Sequence, residues 1–148
     1  MNNKAVASKS ETITENIFRN AYGVNAFIEK SAIPKDKYKF TSKKNTGNSG
    51  YPDFLREEGD EYVIIVECKS TAKDHKQAED ETKHYIGDIS KKYNSVGIAV
   101  SGQGGSDFRV TYFITPTGSK TLEISGINQL NAGIFLQRIF KRNRILSH

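Results

Sequence analysis

The chain alternates short, densely apolar runs with longer polar stretches. Tyr62 to Val66 is β-branched or aromatic throughout. That run is too short for a helix and too continuous for a strand with one wet face. It reads as a central strand buried on both sides. Ser95-Val96-Gly97-Ile98-Ala99-Val100-Ser101 repeats the pattern, and Arg109 to Thr115 predicts a further strand. Between the first two lies Lys73 to about Lys92, polar with sparse apolar positions at Ala78, Tyr85, Ile86 and Ile89. This spacing predicts a surface helix. Such a connection makes the strands it joins parallel, through a right-handed crossover.

Upstream, Ile13, Ile17, Phe18 and Ala21 form the apolar stripe of a first helix. Ser10 is its candidate N-cap, Glu11 and Glu15 suit its positive end, and Gly23 is its stop. The polar residues 1–9 are expected to be disordered. Residues 24–34 show no decisive period, and Pro34 ends whatever precedes it. Tyr38-Lys39-Phe40-Thr41-Ser42 alternates and could be an edge strand. Lys43 to Gly50 is a turn-rich loop. The acidic turn Glu57-Glu58-Gly59-Asp60-Glu61 predicts a hairpin with Phe54 opposite Ile65. Ser101 to Ser106 is glycine-rich, but it has no lysine and precedes a strand, so it fits a hairpin connection better than a phosphate-cradling loop. Leu122 to Ile127 is mixed. From Ile127 to about Ile145, Leu130, Ile134, Phe135, Ile139 and Phe140 predict a final amphipathic helix with a basic end. The order is helix, three strands, helix, two strands, helix. It describes an α/β fold with a central mixed β-sheet flanked by helices.

The length, 148 residues, predicts a single domain spanning 1–148. No stretch approaches the roughly 20 apolar residues of a membrane span. The N-terminal residues lack the apolar run of a signal peptide, so a cytoplasmic protein without membrane attachment is expected. The one cysteine, Cys68, excludes an internal disulfide and a cysteine-rich zinc site. On a central strand it reads as a small apolar filler. The formal net charge of +5 suits a polyanionic partner. Lys35, Lys37, Lys39, Lys43 and Lys44 precede the acidic hairpin, and Arg138, Lys141, Arg142 and Arg144 end the chain. Each cluster reads either as solvated surface or as a phosphate-facing patch.

The unusual chemistry stands at the end of the Tyr62–Val66 strand, where Glu67-Cys68-Lys69 follows. Alternation puts Glu67 and Lys69 on one face and Cys68 on the other. Charges there are costly unless paired or metal-bound. The hairpin would bring Asp53 to the same edge as Glu67. Two carboxylates and an amine converging there make a candidate metal site; an ion pair that merely holds the fold is the alternative.

Pro52-Asp53 and Glu67-Cys68-Lys69, on predicted strands in this order, resemble the PD-(D/E)XK nuclease superfamily. The resemblance covers roughly residues 10–115, whose element order matches that superfamily's restriction-endonuclease-like αβββαβ core. It implies that Asp53 and Glu67 hold Mg²⁺, with Mn²⁺ as a substitute and the Cys68 carbonyl as a third ligand. It places Lys69 beside the attacking water. It further implies that Glu15, on the first helix, leans over the site, although a solvent-facing glutamate fits as well. Gln77 on the following helix is a looser match, because the family's tyrosine would lie four positions on and Tyr85 lies eight. Lys43, Lys44 and Lys73 are candidate nucleic-acid contacts. The implied activity is Mg²⁺-dependent hydrolysis of DNA, as in the nuclease domains of large restriction-modification enzymes. Further domains or subunits of such a complex are expected partners, and the chain could be an excised fragment. A non-catalytic nucleic-acid-binding module of the same fold is the alternative.

Overall fold

The computed structural model describes residues 3–44, 48–59 and 62–127, with side chains from residue 11 to 125 in those ranges. They form an α/β protein: α1 (Asn3–Tyr22), β1 (Ile28–Glu29), β2 (Phe54–Glu58), β3 (Tyr62–Lys69), α2 (His75–Ile89), β4 (Asn94–Ser101), β5 (Arg109–Thr115) and β6 (Leu122–Ile127). The strands make one six-stranded sheet in chain order. It is mixed: β3 and β4, joined through α2, run parallel, and every other neighbouring pair is antiparallel.

Alternation along the strands feeds two cores, one on each face of the sheet. Ile64, Val66 and Cys68 of β3 share one with Val96, Ile98, Val110, Tyr112 and Phe18 of α1. Val63 and Ile65 share the other with Leu55, Ala99, Phe113 and the α2 residues Ala78, Tyr85, Ile86 and Ile89. Cys68, 2% exposed, is the apolar filler expected of it. The two helices therefore cover opposite faces. Gly97 lets α2 come close to β4. A Cβ there would stand 2.6 Å from Ile86 Cδ1, and nearer still to Thr82 Cγ2. Among the described residues, no helix is long and apolar enough to cross a membrane.

Several boundaries differ from the sequence pattern. Helix α1 begins at Asn3, so Ser10 lies inside it, not at its cap, and helical backbone covers most of residues 1–9. The edge strand is Ile28–Glu29, paired with Leu55 and Phe54. In the 38–42 run only Thr41 pairs, in an isolated bridge to Ser49. The alternation there is genuine, since Tyr38 and Phe40 are buried. It reflects side chains tucked under α2, because the outer edge of β2 is already taken. The hairpin register is shifted by one, with Phe54 opposite Val66 and Leu55 opposite Ile65. The second helix starts at His75 after a short 3-10 turn, Ala72–Asp74, and ends at Ile89. Ile127 closes strand β6 instead of opening a helix. The rest of the expected C-terminal helix, including Arg138, Lys141, Arg142 and Arg144, lies outside the described residues.

Candidate active site

Strand β3 carries Glu67 and Lys69 on its α2 face, and one more residue of extended chain brings Asp53 in ahead of β2. The Asp53 amide donates to Val66 O at 3.0 Å and to Glu67 Oε1 at 3.1 Å. Asp53 Oδ2 in turn accepts the Cys68 N–H at 2.8 Å. The two carboxylates are thus tied into one backbone corner. A strand residue's N–H and C=O point to the same side, so the Cys68 carbonyl also faces the Asp53 side. Lys69 O accepts the Gly102 N–H at 3.1 Å on the β4 side, as the alternation requires.

Three amines stand among these acids. Lys30 Nζ is 3.1 Å from Asp53 Oδ1. Lys43 Nζ lies 3.1 Å from Glu67 Oε2 and 2.8 Å from Glu81 Oε1. Lys69 Nζ is 3.1 Å from the same Glu81 oxygen. Those two contacts on Glu81 are Coulombic: neither has hydrogen-bond geometry. Gln77 is exposed and donates to Glu81 Oε2 at 2.8 Å, so it reaches the cluster through Glu81. Glu15 enters from the α1 side, with Arg19 Nη2 3.2 Å from its carboxylate. Lys44 and Lys73 are exposed, whereas Lys43 is turned inward onto the carboxylates.

The electrostatics follow from burial and proximity. Glu67 is fully buried, and burial, aided by the Asp53 charge, pushes its pKa well above the ordinary carboxylate value against the pull of Lys43. Burial also works to raise Glu81, but the Lys43 and Lys69 ammoniums, at 2.8 and 3.1 Å, hold it at about 2. The two glutamates are joined through Lys43, whose Nζ lies 3.1 Å from Glu67 Oε2 and 2.8 Å from Glu81 Oε1, and they shift in opposite directions. Burial and the Asp53 charge raise Glu15 too. Lys43 stays charged, since Glu67 and Glu81 outweigh the burial that would depress it.

Two members escaped the sequence reading. Lys30 sits in the stretch without decisive period, and nothing local marks it. Glu81 does carry a local signal: it falls on the α2 stripe between Ala78 and Tyr85, where a carboxylate needs a partner. Beside Lys69, Ser101 of β4 bonds His75 Nδ1 at 2.7 Å, and Thr111 bonds His75 Nε2 at 2.8 Å. Ser101 and Thr111 are buried; burial lowers the His75 pKa against the pull of Glu79, whose carboxylate accepts from the Thr111 hydroxyl at 2.6 Å and completes the network at the end of the sheet. His84 reaches the Thr41 hydroxyl at 3.0 Å, and Asp88 accepts the Thr41 N–H at 2.8 Å. Together they pin the base of the loop that carries Lys43.

The donor set is oxygen-only: two carboxylates and a backbone carbonyl. No group of three or more His, Cys, Asp or Glu side chains at metal-holding distance occurs among the described residues. A hard cation that keeps several waters, needing one or two protein carboxylates, fits such a set; a zinc-type cage does not. Lys30 and Lys43 now neutralise these oxygens, so a divalent ion would have to displace them. No family model matches the chain, and neither a curated protein nor a solved structure is significantly similar to it.

Proposed function

We propose that this is a Mg²⁺-dependent phosphodiesterase of the PD-(D/E)XK type, cutting DNA as the cleavage domain of a restriction-modification enzyme. The observation that carries this reading is the convergence of Asp53, just ahead of β2, and Glu67 of β3 at one backbone corner, to which Lys69 is linked through Glu81 and Lys43. The element order from α1 to β4 agrees with the restriction-endonuclease-like core that the reading requires.

Asp53, Glu67 and the Cys68 carbonyl would hold the ion. When bound, it supplies Lewis-acid charge at the phosphate and makes water more acidic. The protein's own groups do the rest. Glu81, 3.1 Å from its Nζ, orients Lys69, so that its ammonium can face developing negative charge at the scissile phosphate. Lys43 and Lys30, once off the carboxylates, become available to phosphate oxygens. Glu67 gives up its proton before it can act as an anionic ligand.

A specific feature favours a second reading. The carboxylates are already matched by lysines, which suits a non-catalytic nucleic-acid-binding module held together by an ion-pair network. Incubation with plasmid and with circular single-stranded DNA, each with Mg²⁺ or Mn²⁺, separates the two. Cleavage by the parent, lost by about 10³-fold or more in Lys69→Ala with DNA binding kept, is the expected outcome. Binding without cutting in either metal would transfer the protein to the second class.

A further inference from the structure

The carboxylate corner opens into a surface trench that the chemistry above does not use. From Asp53 a cleft of about 510 Å³ runs past Glu15, Lys30 and Ser31 to Tyr51 and Lys35. A second cleft, about 400 Å³, continues from the same Tyr51 and Lys35 to Lys39, Thr41 and Ser49. Each has room for roughly one small ligand unit, near the low end of the ~300–1,000 Å³ of ligand sites. They share one aromatic ring and one amine at their junction.

That ring is held firmly. Pro52 restricts Tyr51 to extended backbone. Gly50 before it is pressed against the preceding chain, where a Cβ would stand 2.9 Å from Ser42 Cα. Phe40 meets the Tyr51 ring edge-on at 5.9 Å, and Phe40 is itself braced by Tyr85 at 5.4 Å. Tyr51 remains half-exposed, with Lys35 Nζ 5.9 Å from its centroid. Along the first cleft Glu29 and Glu15 share Arg19, and Asp53 pairs with Lys30. Lys35 and Lys39 are exposed; Lys39 Nζ reaches the Lys35 carbonyl at 3.5 Å, and neither amine has a carboxylate within ion-pair distance among the described residues. The amines without a carboxylate partner therefore lie at the Tyr51 end of the trench, beside a rigid aromatic face.

We propose that Tyr51 and Lys35 form a stacking platform for an unpaired base, so that the strand led to the Asp53–Glu67 corner is single-stranded nucleic acid. This rests on the nucleic-acid cleavage proposed above and shifts the substrate within it from intact duplex to DNA with unpaired bases. An aromatic face flanked by amines recognises π-faces and phosphates without reading base edges. In a duplex those faces are covered by neighbouring bases, so the platform accepts single strands, frayed ends or flaps and passes over intact double helix.

Fluorescence anisotropy tests this with labelled oligothymidylate and a blunt duplex of equal length, both in EDTA to prevent cutting. Parent protein should bind the oligothymidylate more tightly. Tyr51→Ala should weaken that binding by about 10- to 100-fold, and Tyr51→Phe should retain it. Lys35→Ala, at an exposed side chain that folding does not need, should lower the salt slope of oligothymidylate binding by about one. Unchanged affinity in Tyr51→Ala, an unchanged slope in Lys35→Ala, or equal binding of the duplex overturns the platform. Should the platform behave as expected while no nucleic acid is cut with Mg²⁺, the hydrolase falls and the platform stands. Lys69-dependent cutting combined with Tyr51-independent binding gives the reverse.

Discussion

Glu67 and Glu81 share Lys43 yet titrate in opposite directions, which makes pH the sharpest probe of the site at the residue scale. An unfolded glutamate titrates near 4.5. Glu81 lies below that value when folded, so it contributes stability above about 4.5 that is lost as pH falls toward 2. Glu67 lies above it, so the folded protein holds a proton that the unfolded chain releases. Stability therefore declines as pH rises from about 4.5 toward the raised folded value. Glu67→Gln removes that decline. In EDTA, the variant should have a higher urea midpoint than the parent at about pH 8, with the gap closing toward about pH 4. A gap independent of pH would show that Glu67 is not held protonated by its surroundings. The Glu-x-Lys spacing in the sequence exposed Glu67 and Lys69. Nothing in it exposed the opposing shifts, because they depend on Lys43, which arrives from a loop, and on Glu81, from the next helix.

At the scale of elements, the close fit of α2 on β4 positions Glu81 and Tyr85 over the carboxylates. The fit depends on Gly97, which lies under Thr82 and Ile86. Thr82 is β-branched and fully buried, so it has little room to yield. Gly97→Ala is expected to cost about 1–3 kcal/mol in chemical denaturation. If the site turns over, the same change should also lower its activity by moving Glu81 away from Lys69. Wild-type stability in this variant would mean that the helix is free to ride outward, and the close-fit account would be wrong. On the other face, α1 is tied down by Thr14, whose hydroxyl donates to Gly102 O at 2.7 Å. A bidentate Arg19–Glu29 pair, at 2.7 and 2.6 Å, joins it to β1. The apolar stripe announced the existence of α1. Its early start at Asn3 and its tether to β1 had no local signature.

Across the whole molecule, the sheet gathers charge from six places onto one edge: α1, the chain after β1, the Lys43 loop, the lead into β2, the end of β3, and α2. If this edge binds Mg²⁺, binding must displace Lys43 and Lys30 and strip the proton from Glu67. Calorimetric titration with Mg²⁺ in two buffers of different ionisation enthalpy should show proton release near pH 7, with affinity rising as pH rises. Heats that do not depend on the buffer would mean that the ion does not use Glu67. The sequence by itself determined the α/β class, the buried β3 and β4 strands and their parallel pairing, and the Asp53–Glu67–Lys69 constellation. Each of these is written in local period or in spacing along one strand and its hairpin. Only the tertiary structure decided that Lys30, Lys43 and Glu81 complete the cluster and that Tyr51 opens a trench beside it. These residues meet through chain reversals and helix packing, and no period along the chain encodes which distant side chain fills the space beside a buried charge.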